Sequence, residues 1–169
     1  GGLYSKIFVI LNDLTFCLFR CKLMIIMMSK ETKMHPTILK IQEIVSKGDE
    51  EAIKEVLSQE VKFKPPTYYK TWTGREPVAA VLGHVGKIFH EFEYTRIMGS
   101  NNDWALEFKC KIGNLDIVGV DLITLNKEGL IDLFEVTMRP LKSISALREA
   151  INVRVMKDPR FLNFKSALS

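Results

Sequence analysis

Residues 115–125, LDIVGVDLITL, read as a buried strand that nevertheless carries a carboxylate, Asp121, at its centre. A carboxylate among Val, Leu and Ile is costly to bury unless hydrogen-bond donors or a cation receive it. Two readings follow. Backbone N–H groups, a Tyr, or Arg139 receive Asp121 as a structural residue. Alternatively Asp121 lines a small-molecule pocket, where an apolar setting raises a carboxyl pKa and readies it as base or acid. His84 lies among Val81, Leu82, Val85 and Ile88. Pointing inward, it would pair with Asp121 as an acid/base couple; otherwise it is a satisfied core or surface histidine. Tyr68, Tyr69 and Trp72 crowd one loop, where they either rim a cavity mouth or cap the core. Cys17 and Cys21 stand four apart with no nearby His, so plain packing is expected and no metal. No Gly-rich phosphate loop, nucleophile elbow, CxxC or HExxH pattern occurs, and no cofactor is expected.

These residues need elements to position them. Ile38, Ile41, Ile44 and Val45 recur at helical spacing until Gly48 stops them. Asp49 is an N-cap for a second helix with Ala52, Ile53, Val56 and Leu57 on one face. A short strand, 61–64, runs into Pro65-Pro66. The aromatic loop closes at Gly74, and a third helix is predicted over 76–90. The period then changes to two, which predicts strands over 92–98, 104–112, 115–125 and 130–139. A last helix covers 143–156, with Leu147, Ile151 and Val155 apolar. This order gives an α+β layout, with helices on one face of a curved antiparallel sheet.

Turns set the register, and register decides which side chains share a face. Gly113-Asn114 is a two-residue hairpin turn, so Ile112 pairs with Leu115 and Leu106 lies opposite Asp121. With 126–129 as the next turn, Leu125 pairs with Leu130 and Asp121 lies opposite Phe134. Leu106, Phe108, Cys110, Ile117, Asp121, Ile123, Phe134 and Met138 then share the inner face. Leu106, Phe108, Phe134 and Met138, with the loop aromatics, would shape the pocket. The outer face has an apolar middle at Val120, Leu122 and Leu133, which suits a homodimer interface.

The chain has 169 residues, 47% apolar and 26% charged, with net charge +4. One domain with a real core is expected. The lysines are scattered without interleaved aromatics, so nucleic acid is not the expected partner. The chain opens Gly-Gly, which reads as a tag remnant or processed end, with Met27 or Met28 as alternative natural starts. Residues 3–28 are strongly apolar, but Asn12, Asp13, Arg20 and Lys22 interrupt them. Each charge costs about 2.5–3.5 kcal/mol at a bilayer centre, so a membrane span is not favoured. The expected organisation is an apolar extension over 1–34, a domain over 35–158 and a polar tail over 159–169. A cytoplasmic location is expected.

The runs TGREPVAAVLGHV, FEYTRI and LEFKCKIGNLDIVGVDLITLNKEGLIDLFEVTMRPL resemble the SnoaL-like branch of the nuclear transport factor 2-like superfamily, chiefly short bacterial members, over residues 37–156. The resemblance implies a cone-shaped, cystatin-like α+β fold with a cavity between sheet and helices, and frequent dimers. It also implies cofactor-free isomerase, cyclase or hydratase chemistry on an apolar carbonyl compound, with Asp121 as the pocket acid. Tyr68 and Tyr69 sit in a loop, not at the helix position where the isomerases keep an oxyanion-hole Tyr. Fold alone does not deliver function. The alternative is a non-catalytic dimerisation or protein-interaction module with a filled cavity.

Overall fold

A computed structural model describes residues 33–169. The expectations for the apolar extension, its cysteines, its bearing on membranes and the natural start fall outside the described residues. Met34–Ser169 form one compact unit. No helix among the described residues is long and apolar enough to cross a membrane.

Helix α1 (Pro36–Ile44) runs through a 3-10 turn (Val45–Lys47) to Gly48, whose φ of 59° is left-handed. Glycine takes that conformation without a Cβ penalty. Asp49 then caps α2 (Glu50–Val56) by accepting from Glu51 N and Ala52 N. Strand β1 (Leu57–Lys64) starts earlier than the sequence suggests, and Leu57 is its first residue rather than part of the helix face. The aromatic loop contains a short strand, β2 (Trp72–Thr73), which leads into α3 (Arg75–Gly86). Helix α3 stops before the predicted end at 90. The amides of Ile88 and Phe89 both turn back to the Val85 carbonyl, closing the helix and aiming the chain into the sheet.

Strands β3 (His90–Ser100), β4 (Asp103–Ile112), β5 (Leu115–Leu125) and β6 (Ile131–Arg139) form the meander. Pro140 ends β6, and α4 (Leu141–Lys157) folds back over the sheet. The sheet order is β2-β1-β6-β5-β4-β3, with β1 and β6 parallel and every other pair antiparallel. The six strands make a curved, unclosed sheet backed by helices, the α+β architecture expected from the sequence.

The first hairpin has the predicted register, Ile112 opposite Leu115 and Leu106 opposite Asp121. The second does not. Asn126 Oδ1 accepts from both Glu128 N and Leu130 N, which lengthens the loop by one residue. A further irregularity between Thr124 and Leu125 adds another. Asp121 therefore faces Val136 and not Phe134. A slip of two preserves the side-chain alternation, so the inner face keeps its expected membership. Ile117 and Ile123 flank Asp121 at 1% and 2% exposure, and Asp121 itself is 4% exposed.

Residues 159–169 are not a tail. A short helix, α5 (Arg160–Asn163), puts Phe161 into the core against Trp72, and a 3-10 turn (Phe164–Ala167) follows. Ser169 and Thr71 exchange backbone hydrogen bonds. A single buried aromatic can anchor such a segment, because it removes a large apolar area from water.

Candidate functional site

Between the sheet and the helices lies a cavity with almost wholly apolar walls. Helix α3 contributes Val81, Leu82 and Val85, and α4 contributes Leu147 and Ile151. The sheet supplies Phe108, Phe134, Val136 and Met138. Phe89 and Phe92, at the corner between α3 and β3, close one flank. Half-buried Pro65, Pro66, Thr67 and Tyr68 stand at the other. The free volume is about 50 Å3. That is room for roughly three or four waters, and well short of the several hundred Å3 of a drug-sized site.

One carboxylate enters this space, that of Asp121. Its Oδ2 accepts from the Tyr94 hydroxyl at 2.7 Å, and no protein group among the described residues bonds Oδ1. Burial pushes the Asp121 carboxyl up to about 7, against the downward pull of the Tyr94 bond. Tyr94 is itself driven well above its ordinary range, first by burial and then by the Asp121 charge. Asp121 lines the cavity and Tyr94 does not, so the Tyr94 hydroxyl holds the carboxyl through Oδ2 without itself lining the hollow. Both sequence readings of Asp121 thus meet in one residue, received by a tyrosine and lining a pocket.

Tyr94 was not a candidate, and the reason is local. Ile97 pairs with Leu106 and Arg96 with Glu107, but Tyr94 pairs with Phe108, so β3 spends one extra residue at Thr95. Such a bulge turns the following side chains to the other face. The Thr95 hydroxyl and Arg96 Nε both donate to Glu107 Oε1, at 2.8 and 3.0 Å, and pin the bulge. An unbroken register from the 99–103 loop would have sent Thr95 inward in place of Tyr94.

The other candidates divide. Tyr68, Phe108, Phe134 and Met138 line the cavity. Leu106 is fully buried in the main core and does not. Trp72 is 6% exposed and packs edge-on against Phe161, so it caps the core; its Nε1 donates to the Tyr68 hydroxyl. Tyr69 is fully exposed and lies outside the cavity. His84 does not reach Asp121. It leaves α3 on the flank facing the C-terminal segment, with Nε2 3.0 Å from Asp158 Oδ2 and its ring against Phe161. Arg160 holds the Asp158 carboxyl well below its ordinary range and also reaches Glu50. His84 is therefore part of a clasp on α5, and the proposed acid/base couple is not formed.

A bacterially conserved, uncharacterized protein with a cystatin-like fold from Silicibacter pomeroyi DSS-3 matches at 66% identity and TM-score 0.80, over 80% of this chain and 96% of that one. The chain belongs to that protein's family. A steroid delta-isomerase from Pseudomonas aeruginosa matches at 26% identity and TM-score 0.68, over 72% of this chain and 90% of that one. A nuclear transport factor 2-like protein of unknown function from Burkholderia xenovorans LB400, at 18% identity and TM-score 0.55 over 60% of this chain and 79% of that one, shares the fold. No protein-family model matches the chain, and neither does any curated protein. The fold of this family is cystatin-like and nuclear transport factor 2-like, and its structural neighbours include proteins of the ketosteroid isomerase kind.

Proposed function

We propose that the chain binds a small, mostly apolar carbonyl compound in the cavity and moves a proton beside the carbonyl without a cofactor. One observation carries this reading: a carboxyl lining an apolar hollow, raised to about 7, with one oxygen held by the Tyr94 hydroxyl and the other without a protein partner among the described residues. A general base works best with a pKa near the operating pH. Asp121 Oδ1 takes a proton from the carbon next to C=O. The C–H pair becomes a C=C bond, and the carbonyl pair moves onto oxygen. Tyr68 is the donor for that oxygen. Its hydroxyl oxygen already accepts from Trp72 Nε1, so its own hydrogen is free for a ligand. Asp121 then returns the proton to the same carbon, or to the far end of a conjugated system as an isomerase does. The steroid delta-isomerase among the relatives supports this class of reaction. The small free volume argues for a compact reacting group over a steroid nucleus in this conformation. Within the superfamily the SnoaL-like branch is the placement we favour, with a cytoplasmic location.

The test is hydrogen–deuterium exchange of 2-butanone in D2O, followed by proton NMR. The wild type is expected to exceed buffer, with kcat/KM rising through about pH 7 as Asp121 ionises. Asp121→Asn should lose at least about 100-fold, the scale of a general base. Exchange no faster than buffer, or an Asn variant as fast as wild type, ends the reading.

A homodimer through the outer sheet face is part of the proposal. Leu122 is 41% and Met98 52% exposed there, beside half-buried Val118 and Val120. Leu122→Lys should shift sedimentation from dimer toward monomer; a wild type that sediments as a monomer at 100 μM, a concentration of roughly the weak-dimer range, removes the dimer.

A further inference from the structure

We propose that a second hollow, at the point where β1 stops short of β6, is a polar subsite for the tail of the ligand whose carbonyl end sits at Asp121; this rests on the cavity reading above. Pro65-Pro66 ends β1 at Lys64, opposite Glu135, while β6 runs on from Val136 to Arg139. Proline offers no N–H for the ladder, so the sheet edge is notched there. The notch holds a hollow of about 370 Å3. It shares Pro65, Tyr68 and Val136 with the apolar cavity, so the two spaces adjoin at these three residues. The inner cavity, at about 50 Å3, is too small for a whole ligand, and the adjoining notch supplies the room it lacks within the usual range of roughly 300–1,000 Å3.

The notch walls have different chemistry from the cavity. Lys64 Nζ and Glu135 Oε2 lie 3.1 Å apart on its rim, with the Tyr69 ring and Thr71 beside them. The ion pair is neutral as a unit. The ammonium keeps spare hydrogens and the carboxylate spare lone pairs. A group that both accepts and donates fits this pair: an amide offers C=O to Lys64 and N–H to Glu135. A phosphate or carboxylate tail would meet Glu135 as a like charge. The ligand class is therefore a ketone with an uncharged, amide-like tail. Its carbonyl lies at Tyr68, its α-carbon points inward and its tail passes outward.

The probes are 2-butanone and N-(3-oxobutyl)acetamide, which present the same ketone end without and with an amide tail. Dissociation constants come from NMR titration of the full chain. The tail should tighten binding at least tenfold in the wild type. Thr71→Trp, which fills the notch from a residue whose fold role is a backbone bond to Ser169, should bring the ratio of the two constants toward one. Tyr69→Ala, at a fully exposed position, should lower the ratio several-fold with no risk to folding. Equal binding of the two ketones by the wild type overturns the subsite and leaves the cavity reading in place. So does a ratio that neither variant changes. If neither ketone binds, the cavity reading falls and the subsite falls with it.

Discussion

Gly86→Ala is expected to destabilise the fold by about 3 kcal/mol, although alanine is the better helix former. A Cβ at Gly86 would stand 2.6 Å from Gly48 Cα and 2.6 Å from the Val45 carbonyl oxygen. Both obstacles are backbone, so no side chain can swing away. The chain at Gly48 lies directly on α3, and Gly48 itself would place a Cβ 2.8 Å from the Gly83 carbonyl oxygen. Helix propensity favours alanine by up to about 1 kcal/mol, and the collision outweighs it. Gly83→Ala on the same helix is the internal control. Its Cβ would meet Glu50 Cβ at 3.4 Å, ordinary contact, so propensity decides and the variant should be neutral or up to about 1 kcal/mol more stable. Urea unfolding of the pair measures both. Equal midpoints for the two variants would refute the backbone contact, and with it the way the turn after α1 is locked onto α3.

That crossing shows what local sequence signals carry. Gly48 was legible as a helix stop because a left-handed residue ends a helix. Gly86 was not legible as its counterpart, since the contact joins residues 38 apart in the chain, and only the fold brings them together. The same division runs through the site. Asp121 could be placed inward because Gly113-Asn114 fixes one hairpin and alternation does the rest. The second hairpin slipped by two, and the faces survived because the slip was even. Tyr94 stayed hidden because a one-residue bulge at Thr95 reverses faces, and its stabilising partner, Glu107, is on the neighbouring strand. Phe161 is hidden in the sequence because Phe161 and Phe164, set among Arg160, Asn163 and Lys165, are too few to make a periodic pattern. His84 lies on the expected helix but on the other flank: its partner, Asp158, caps the end of α4 74 residues further on, at the border of the expected tail. Long-range partners decided each of these outcomes, and periodicity reports only on neighbours along one element.

The pH dependence of stability should carry the mark of Asp121. Unfolded, its carboxyl returns to an ordinary value near 3.8; folded, burial holds it at about 7. Between those values the folded chain keeps a proton that the unfolded chain has lost, so stability falls as pH rises. The whole effect approaches about 4 kcal/mol, of which about 3 kcal/mol is lost between pH 5 and 8. Asp121→Asn keeps an oxygen for the Tyr94 hydroxyl and has no charge to bury. Its unfolding free energy should therefore change about 3 kcal/mol less than that of the wild type over the same range, with the curves converging toward acid. Parallel curves in urea titrations at pH 5, 6, 7 and 8 would mean that the carboxylate is comfortably solvated, and would deny it a proton to exchange at neutrality. Tyr94→Phe separates positioning from chemistry. The Tyr94 bond pulls the carboxyl down, so its removal should raise the midpoint of both the stability curve and the pH–rate profile above that of the wild type. A tyrosine that merely filled space would leave both midpoints where they were. The cost in stability and the readiness for proton transfer have one cause: a carboxyl buried in an apolar hollow with a single donor cannot be both fully ionised and comfortable at pH 7.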